Sequence, residues 1–157
     1  MLEFVLVGIP VIFILISLFE AARGMWTYNT LSYAVREATR YASVHGADCA
    51  SPQTCQVNIG QIVTVIENSG VGLDPGSVTA TFTPATGSAT SGTLSTLSSN
   101  TTTFPPSGAN VAGQNVKISL VYPFRTILAI FWAGDGQPVR DSQVFHLGAS
   151  STEPIQY

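Results

Sequence analysis

The stretch that decides the fold is residues 1–46, MLEFVLVGIPVIFILISLFEAARGMWTYNTLSYAVREATRYASVHG. Apart from Glu3, residues 1–19 carry no charge and are almost wholly apolar. A helix needs roughly 20 such residues to cross a bilayer, so this segment is long enough. No proline follows Pro10 before Gly46, and a helix over the whole stretch would be about 70 Å long. We therefore expect one long helix, apolar in its first half and amphipathic in its second.

The second half of this helix is predicted to bury one face. The apolar residues at helical spacing are Leu31, Ala34, Val35, Ala38, Tyr41 and Ala42. The polar residues expected on the other side are Asn29, Ser32, Arg36, Thr39, Arg40 and Ser43. Glu20 and Glu37 each precede an arginine by three residues, so each is predicted to form a surface ion pair. Gly46 is the predicted left-handed cap of the helix.

Two residues of the apolar half need their own explanation. Pro10 removes a backbone hydrogen bond, so we expect a local break around residues 6–11. Glu3 is a carboxylate in an apolar helix, which is costly unless it stays at the membrane surface or finds a cation. Two alternatives are open for Glu3: it lies among the lipid headgroups, or it pairs with the N-terminal amine of a neighbouring copy.

Length and composition limit what the chain can be. Its 157 residues suffice for one small domain beside a spanning helix. Charged residues make up 10% against 45% hydrophobic, and the mean hydropathy of +0.32 is high for a soluble domain. The net charge of -3 and the pI near 5.1 argue against nucleic-acid binding, which needs a basic face.

The apolar beginning differs from a secretory signal peptide. A signal peptide has a basic start, a shorter apolar core and a cleavage site of small residues. Here no Lys or Arg precedes Arg23, and the apolar run is long. We expect that the chain begins where a leader peptide has been removed, the alternative being that Met1 is the true start.

Two cysteines, Cys49 and Cys55, lie just beyond the predicted long helix. In an extracytoplasmic protein this spacing predicts a disulfide that closes a short loop, worth about 2 to 2.5 kcal/mol if unstrained. Two free thiols are the alternative. A metal site is disfavoured, because two cysteines alone cannot supply the four ligands of a structural zinc.

Residues 47–157 are predicted to form a globular head. Ser51 and Pro52 give a helix-start signal, and Gly70 an end. Between them the apolar residues at helical spacing are Ile59, Ile62, Val63 and Ile66. The sequence 74–76, Asp-Pro-Gly, predicts a turn. This segment therefore adds a second, shorter helix.

Three alternating runs predict strands. They are residues 77–83, residues 116–122 with Pro123 breaking the ladder, and residues 143–149. The apolar connection 124–132, FRTILAIFW, either packs on the sheet or forms an exposed patch at a subunit contact, and a turn follows at 134–136. The predicted fold class is α+β: a long N-terminal helix, a second helix and a three- to four-stranded antiparallel sheet.

Residues 84–113 consist mostly of Ser, Thr, Gly, Ala and Pro. Such a composition offers few apolar anchors, so we expect a long exposed loop. Asn100, Thr101 and Thr102 match an N-glycosylation sequon and are candidate glycosylation residues. A bare polar loop is the alternative.

No catalytic signature is found in the chain. The histidines His45 and His146 are isolated in sequence, and neither a glycine-rich phosphate loop nor a zinc-protease motif is present. Asp141, Ser142 and His146 are close in sequence, but closeness does not establish triad geometry. We expect a protein that is not an enzyme and that needs no cofactor.

The N-terminal third resembles a known family. The segments that carry the likeness are EFVLV at 3–7, Phe19-Glu20, Arg23, Tyr28-Asn29, AVREA at 34–38, RYA at 40–42 and His45-Gly46. They are similar to TadE-like pilins of the tight-adherence (Flp) pilus systems, which are relatives of type IV pilins. The later VYPF at 121–124 is similar as well.

The resemblance implies a life cycle. The subunit would be made as a precursor, cleaved by a prepilin peptidase, held in the inner membrane by its helix and moved by assembly machinery into an extracellular homopolymer. The residues expected to act in assembly are Glu3, Phe4, Leu6, Pro10, Ile14 and Phe19. Glu3 matches the glutamate that pairs with a neighbour's amine in type IV-like pilins, although there it is fifth.

Three functions remain open, the first two of them implied by the resemblance. The first is a structural pilin that builds a filament for adhesion or surface contact. The second is a minor pseudopilin that primes or tips a pilus built from another subunit. The third is a membrane-anchored extracytoplasmic binding module that does not polymerise.

Overall fold

A computed structural model describes residues 2–47, 56–126 and 144–156, without the side chains of residues 2, 4 and 5. Cys49 and Cys55, the helix-start signal at 51–52, the turn at 134–136 and most of the apolar connection 124–132 lie outside these residues. The predicted disulfide, the predicted turn and the placement of residues 127–132 therefore stay predictions.

The first element is the helix α1, Leu2–Ser43, with 42 residues. It continues through Pro10, so the predicted break at 6–11 is wrong. A proline in a helix leaves one carbonyl without its donor, and this single loss does not interrupt the remaining ladder. α1 ends at Ser43, three residues before Gly46, so Gly46 is not the residue that caps it as predicted. The Ser43 hydroxyl instead donates to the Arg40 carbonyl at 2.9 Å.

The predicted buried face of α1 is confirmed. Leu31, Ala34, Val35, Ala38 and Ala42 are at most 1% exposed, and Tyr41 packs against them. Two polar residues expected on the other side, Thr39 and Ser43, are buried as well. Their hydroxyls are satisfied within the helix, and Thr39 donates to the Val35 carbonyl at 2.7 Å. A short hydroxyl that bonds its own backbone costs little to bury.

The second helix, α2, spans Ile59–Ser69 and ends at Gly70 as predicted. It begins later than Ser51-Pro52 indicates, because Asn58 forms a reciprocal capping box with Gln61. The Asn58 side chain accepts from the Gln61 N–H at 2.8 Å, and the Gln61 side chain accepts from the Asn58 N–H at 3.0 Å. The predicted apolar stripe, Ile59, Ile62, Val63 and Ile66, is buried.

Replacing Asn58 by alanine is expected to lower the free energy of unfolding by about 1 kcal/mol, because the first turn of α2 loses its cap. Chemical denaturation of the detergent-solubilised chain would measure the change. Replacement by serine, which can still cap, is the matched control. Equal losses for the two variants would contradict a capping role.

Four strands form one antiparallel sheet. They are β1 (Thr79–Thr83), β2 (Thr90–Thr93), β3 (Asn115–Arg125) and β4 (Val144–Pro154), in the order β2-β1-β3-β4. The fold class is therefore confirmed as α+β. α1 packs on β3, β4 and α2. One hydrophobic cluster joins the buried face of α1 to α2 and to the inward residues of the sheet, such as Phe82 and Leu120.

The strand β3 continues through Pro123, where the sequence predicts a break. The first residue of β1, Thr79, lies opposite Val121, so beyond Val121 the strand β3 pairs with β4 alone. Proline lacks a donor but is tolerated where one side of a strand has no partner. Pro123 therefore lies opposite His146 without ending the strand.

The Ser/Thr-rich segment 84–113 is more ordered than predicted. It contains β2 and a short helix α3, Leu94–Leu97, and it buries Leu94, Leu97 and Phe104. The Gly60 and Ser98 backbones approach so closely that a Cβ on Gly60 would lie 2.5 Å from the Ser98 carbonyl oxygen. The expectation of an irregular exposed loop is wrong, because three apolar residues at the right places suffice to anchor it.

The predicted turn at 74–76 precedes β1. The Ser77 hydroxyl and the Gly76 N–H donate to the Asp74 carboxylate and hold its pKa below the usual range. These bonds favour the ionised form of an exposed group, so the support they give the turn is lost as the pH falls through the lowered pKa.

Candidate assembly surface

The apolar half of α1, up to Phe19, projects from the head with its described side chains largely exposed, and we call this segment the rod. Between residues 6 and 19 the exposed large apolar residues are Leu6, Val7, Ile9, Val11, Ile12, Phe13, Ile14, Leu15, Leu18 and Phe19. Their exposed fractions reach 76% at Leu6 and 75% at Phe19. α1 is the single described helix that is long and apolar enough to cross a membrane. A surface this apolar and this large marks a contact with lipid or with other chains.

The predicted assembly residues lie along this rod. Leu6, Pro10, Ile14 and Phe19 are exposed, as is Glu3 near its start. Phe4 belongs to α1, but its side chain lies outside what the structure describes. The structure gives their place on a single chain, and their role in assembly stays a prediction.

A junction at Glu20–Gly24 joins the rod to the head. Glu20 is the first buried residue among the described side chains of α1, at 9% exposed. It pairs with Arg23 at 3.4 Å, as predicted. The Arg23 guanidinium also donates to the Arg125 carbonyl and lies 4.6 Å from the centre of the Phe124 ring. Arg23 thus ties α1 to the end of β3.

Replacing Arg23 by alanine is expected to lower the free energy of unfolding by about 1 to 2 kcal/mol, since a charge-assisted hydrogen bond and a half-exposed cation–π contact disappear together. Urea denaturation of the solubilised chain would measure it. Arg36→Ala, at an exposed arginine of the same helix, is the control and should change little. Similar losses for both variants would mean that the junction does not depend on Arg23.

A second exposed stripe lies on the amphipathic half of α1. Met25, Trp26 and Tyr33 are 60–68% exposed on the face opposite Leu31 and Ala38. Trp26 and Tyr33 follow the apolar run, as aromatic residues that favour a membrane interface do, and a helical projection adds Met25 to the same face. They extend the apolar surface of the rod onto the head.

Exposed arginines end this stripe. Arg36 and Arg40 lie on the exposed side of α1. Of the two ion pairs predicted on α1, the described side chains form the pair Glu20–Arg23. The pair predicted between Glu37 and Arg40, whose side chains are also described, is not formed. Residues three apart can meet on a helix, but a surface pair gains little and both side chains remain free to stay solvated.

The candidate glycosylation residues lie beside the first turn of α2. Thr101 and Thr102 are exposed, and Asn100 is half-buried. The Asn100 side-chain oxygen accepts from the Thr102 N–H at 2.8 Å, and its carbonyl accepts from the Gly60 N–H at 3.0 Å. This turn presents the sequon at the surface, and modification there stays a prediction. Within the described residues no group of three or more His, Cys, Asp and Glu side chains could hold a metal ion.

Comparison with known proteins gives one match. Residues 1–40 match the family model described as TadE-like protein, which confirms the resemblance over 40 of the 157 residues. The match covers the apolar rod, the junction and most of the amphipathic half of α1. No curated protein matches the chain, and no solved structure matches it.

Proposed function

We propose, from the match of residues 1–40 to TadE-like proteins, that this chain is a Tad pilus-associated structural pilin that polymerises through the apolar half of α1. The proposal rests on one observation: ten large apolar side chains are exposed on a rod that the head leaves uncovered. In the inner membrane, lipid covers them. In an extracellular filament, the rods of neighbouring copies cover one another around a central axis.

The energetics favour such a bundle. Full burial of one Leu, Ile, Val or Phe side chain contributes about 1.5 to 3 kcal/mol relative to water. Ten side chains therefore offer more than the translational and rotational freedom lost on association, which costs on the order of 10 kcal/mol. The partners of the proposal are further copies of the chain, a prepilin peptidase and the inner-membrane assembly machinery. The head would face outward and serve adhesion or surface contact.

The family match favours a second candidate. Residues 1–40 match TadE-like proteins. The resemblance to that family implies a minor pseudopilin, which primes or tips a fibre built from another subunit. A minor subunit needs the same rod, because it must pack into the same bundle. Abundance in the fibre therefore separates the two functions better than structure does.

Electron microscopy of fibres sheared from producing cells, with mass spectrometry of the purified material, tests the proposal. A fibre made predominantly of this chain supports the structural pilin. A trace of this chain in a fibre of another subunit supports the minor pseudopilin. Recovery from the membrane fraction alone, with no fibres, contradicts both and indicates an anchored binding module.

A further inference from the structure

The two edges of the sheet are open within the described part of the chain. β4 pairs with β3 along all eleven of its residues, and none of the described strands pairs with its outer side. β2 likewise pairs with β1 alone. An open edge presents unpaired N–H and C=O groups and is a template for another strand.

These edges lack the usual protection against pairing. Natural sheets protect an edge with charges, prolines or bulges. β2 reads TSGT, and the middle of β4, residues 148–152, reads GASST, with no charge in either. Glu153 and Pro154 come only at the end of β4. Small uncharged side chains on both edges would let two backbones approach without repulsion.

A groove runs beside the same part of β4. It has a volume of about 270 Å³ and is lined by Gly148, Ala149 and Ser150 of β4 and by Tyr28, Ser32 and Arg36 among others of α1. The space next to this strand is therefore not filled by the helix. Its polar lining suits a strand of Ser, Thr and Gly.

The strand directions decide which partner fits. β1 is antiparallel to both β2 and β3, and β4 is antiparallel to β3, so β4 and β2 run in opposite directions. A second copy in the same orientation can therefore place its β2 antiparallel to β4 of the first. Each copy has one β4 edge and one β2 edge, and a contact uses the β4 edge of one copy and the β2 edge of the next. The contact is therefore head-to-tail and builds an open array.

We infer that β4 of one copy pairs with β2 of the next and joins the heads into one continuous antiparallel sheet. The inference rests on the proposed function, because β2 has only four residues and so short a pairing is not stable without the rods. The partner is a second copy of this chain, held in register by the filament.

Cysteine pairs test the contact in fibres from producing cells. Ser91 and Ser150 lie in one cross-strand row on the outer face of the sheet, with Thr81 and Ser119 between them. Because the register between copies can shift by two residues, Ser91→Cys is combined in turn with Gly148→Cys, Ser150→Cys and Thr152→Cys. After oxidation, denaturing gels without reductant should show a ladder of trimers and larger species for one combination. The ladder should collapse to monomer on reduction.

The matched control is Ser91→Cys with Ser119→Cys. Ser119 lies in the same row but on the interior strand β3, where a neighbour's β2 cannot reach it, so no ladder is expected. Single-cysteine variants give the background from Cys49 and Cys55. Fibres without a ladder in all three combinations would overturn the inference and leave the proposed function standing. Dimers from Ser150→Cys alone would overturn it too, since they indicate a closed β4–β4 pair.

The two hypotheses fail separately. A ladder from membranes that hold no fibres would support the edge contact and contradict the proposed function. Ser91→Lys is then combined with lysine at whichever of positions 148, 150 and 152 forms the ladder, and this double variant should reduce fibre yield by placing like charges opposite each other. Glutamate at that same position, together with Ser91→Lys, should restore the yield, and equal yields from the two double variants would count against the contact.

Discussion

Replacing Ile14 by aspartate is expected to abolish fibres and to leave the head folded. Ile14 is 60% exposed in the single chain and lies on the apolar rod. In a bundle of rods its position would be covered by other copies, and the effective cost of burying an unpaired carboxylate is several kcal/mol. Since about 1.4 kcal/mol changes an association constant tenfold, we expect fibre yield to fall by at least a hundredfold. Quantitative blotting of the sheared fraction would measure this.

The control for this variant is Val71→Asp. Val71 is 69% exposed on the turn after α2, away from the rod, and an aspartate there should leave fibre yield unchanged. Aspartate in the rod also opposes membrane insertion, so the amount of chain in the membrane is measured in parallel. Ile14→Ala, which keeps the segment apolar, should insert normally and still lower the yield. Normal fibres from both Ile14 variants would show that the rod is not the assembly surface.

Replacing Phe82 by alanine is expected to unfold the head at moderate temperature. The Phe82 side chain is fully buried on β1, and its ring meets that of Phe104 edge-on at 5.4 Å between centroids. Loss of a buried phenylalanine costs about 3 to 5 kcal/mol, against a total stability of about 5 to 15 kcal/mol for a domain. We expect the Tm of the solubilised chain to fall by about 15 °C or more. Circular dichroism during heating would record it.

Phe145→Ala is the matched control, because Phe145 is 63% exposed on β4. Its Tm should stay within a few degrees of the unsubstituted chain, as about 0.5 kcal/mol is usual for exposed substitutions. Equal shifts for the two phenylalanines would contradict the position of the core. Fibre yield should fall with Phe82→Ala only if a folded head is needed for assembly.

The regular elements could be predicted where hydrophobic spacing leaves one solution. The stripe from Leu31 to Ala42 has the period of a helix and no proline, and the alternation around Ile118 has the period of a strand. Both were confirmed. The start of α2 was predicted less well: Ser51-Pro52 indicates an earlier beginning, whereas the helix begins after Asn58, which forms a capping box with Gln61.

Composition misled the prediction for the segment 84–113. Its many hydroxyl residues indicate a solvated loop, but the average conceals three well-placed apolar residues, Leu94, Leu97 and Phe104. Hydroxyls also supply local bonds, as when the Thr93 side chain caps the short helix α3. Whether a sparse set of anchors suffices depends on the shape of the surface they meet, which a single sequence does not contain.

The exposed apolar rod was predictable, because its exposure follows from its length and from the size of the head. The junction was less accessible. The pairing of Glu20 with Arg23 is permitted by their spacing, whereas the contact of Arg23 with Phe124 and the Arg125 carbonyl joins residues about a hundred positions apart in the chain. Such contacts arise from the tertiary fold and leave no local pattern.

The unbroken course of α1 has a mechanical consequence. The same helix that supplies the rod also supplies one wall of the head's core, through Leu31, Val35 and Ala38. A load applied along the rod therefore reaches the core as shear between α1 and the strands β3 and β4, which must yield over many contacts at once. No flexible linker interrupts α1 between Leu2 and Ser43 to act as the weakest link under tension.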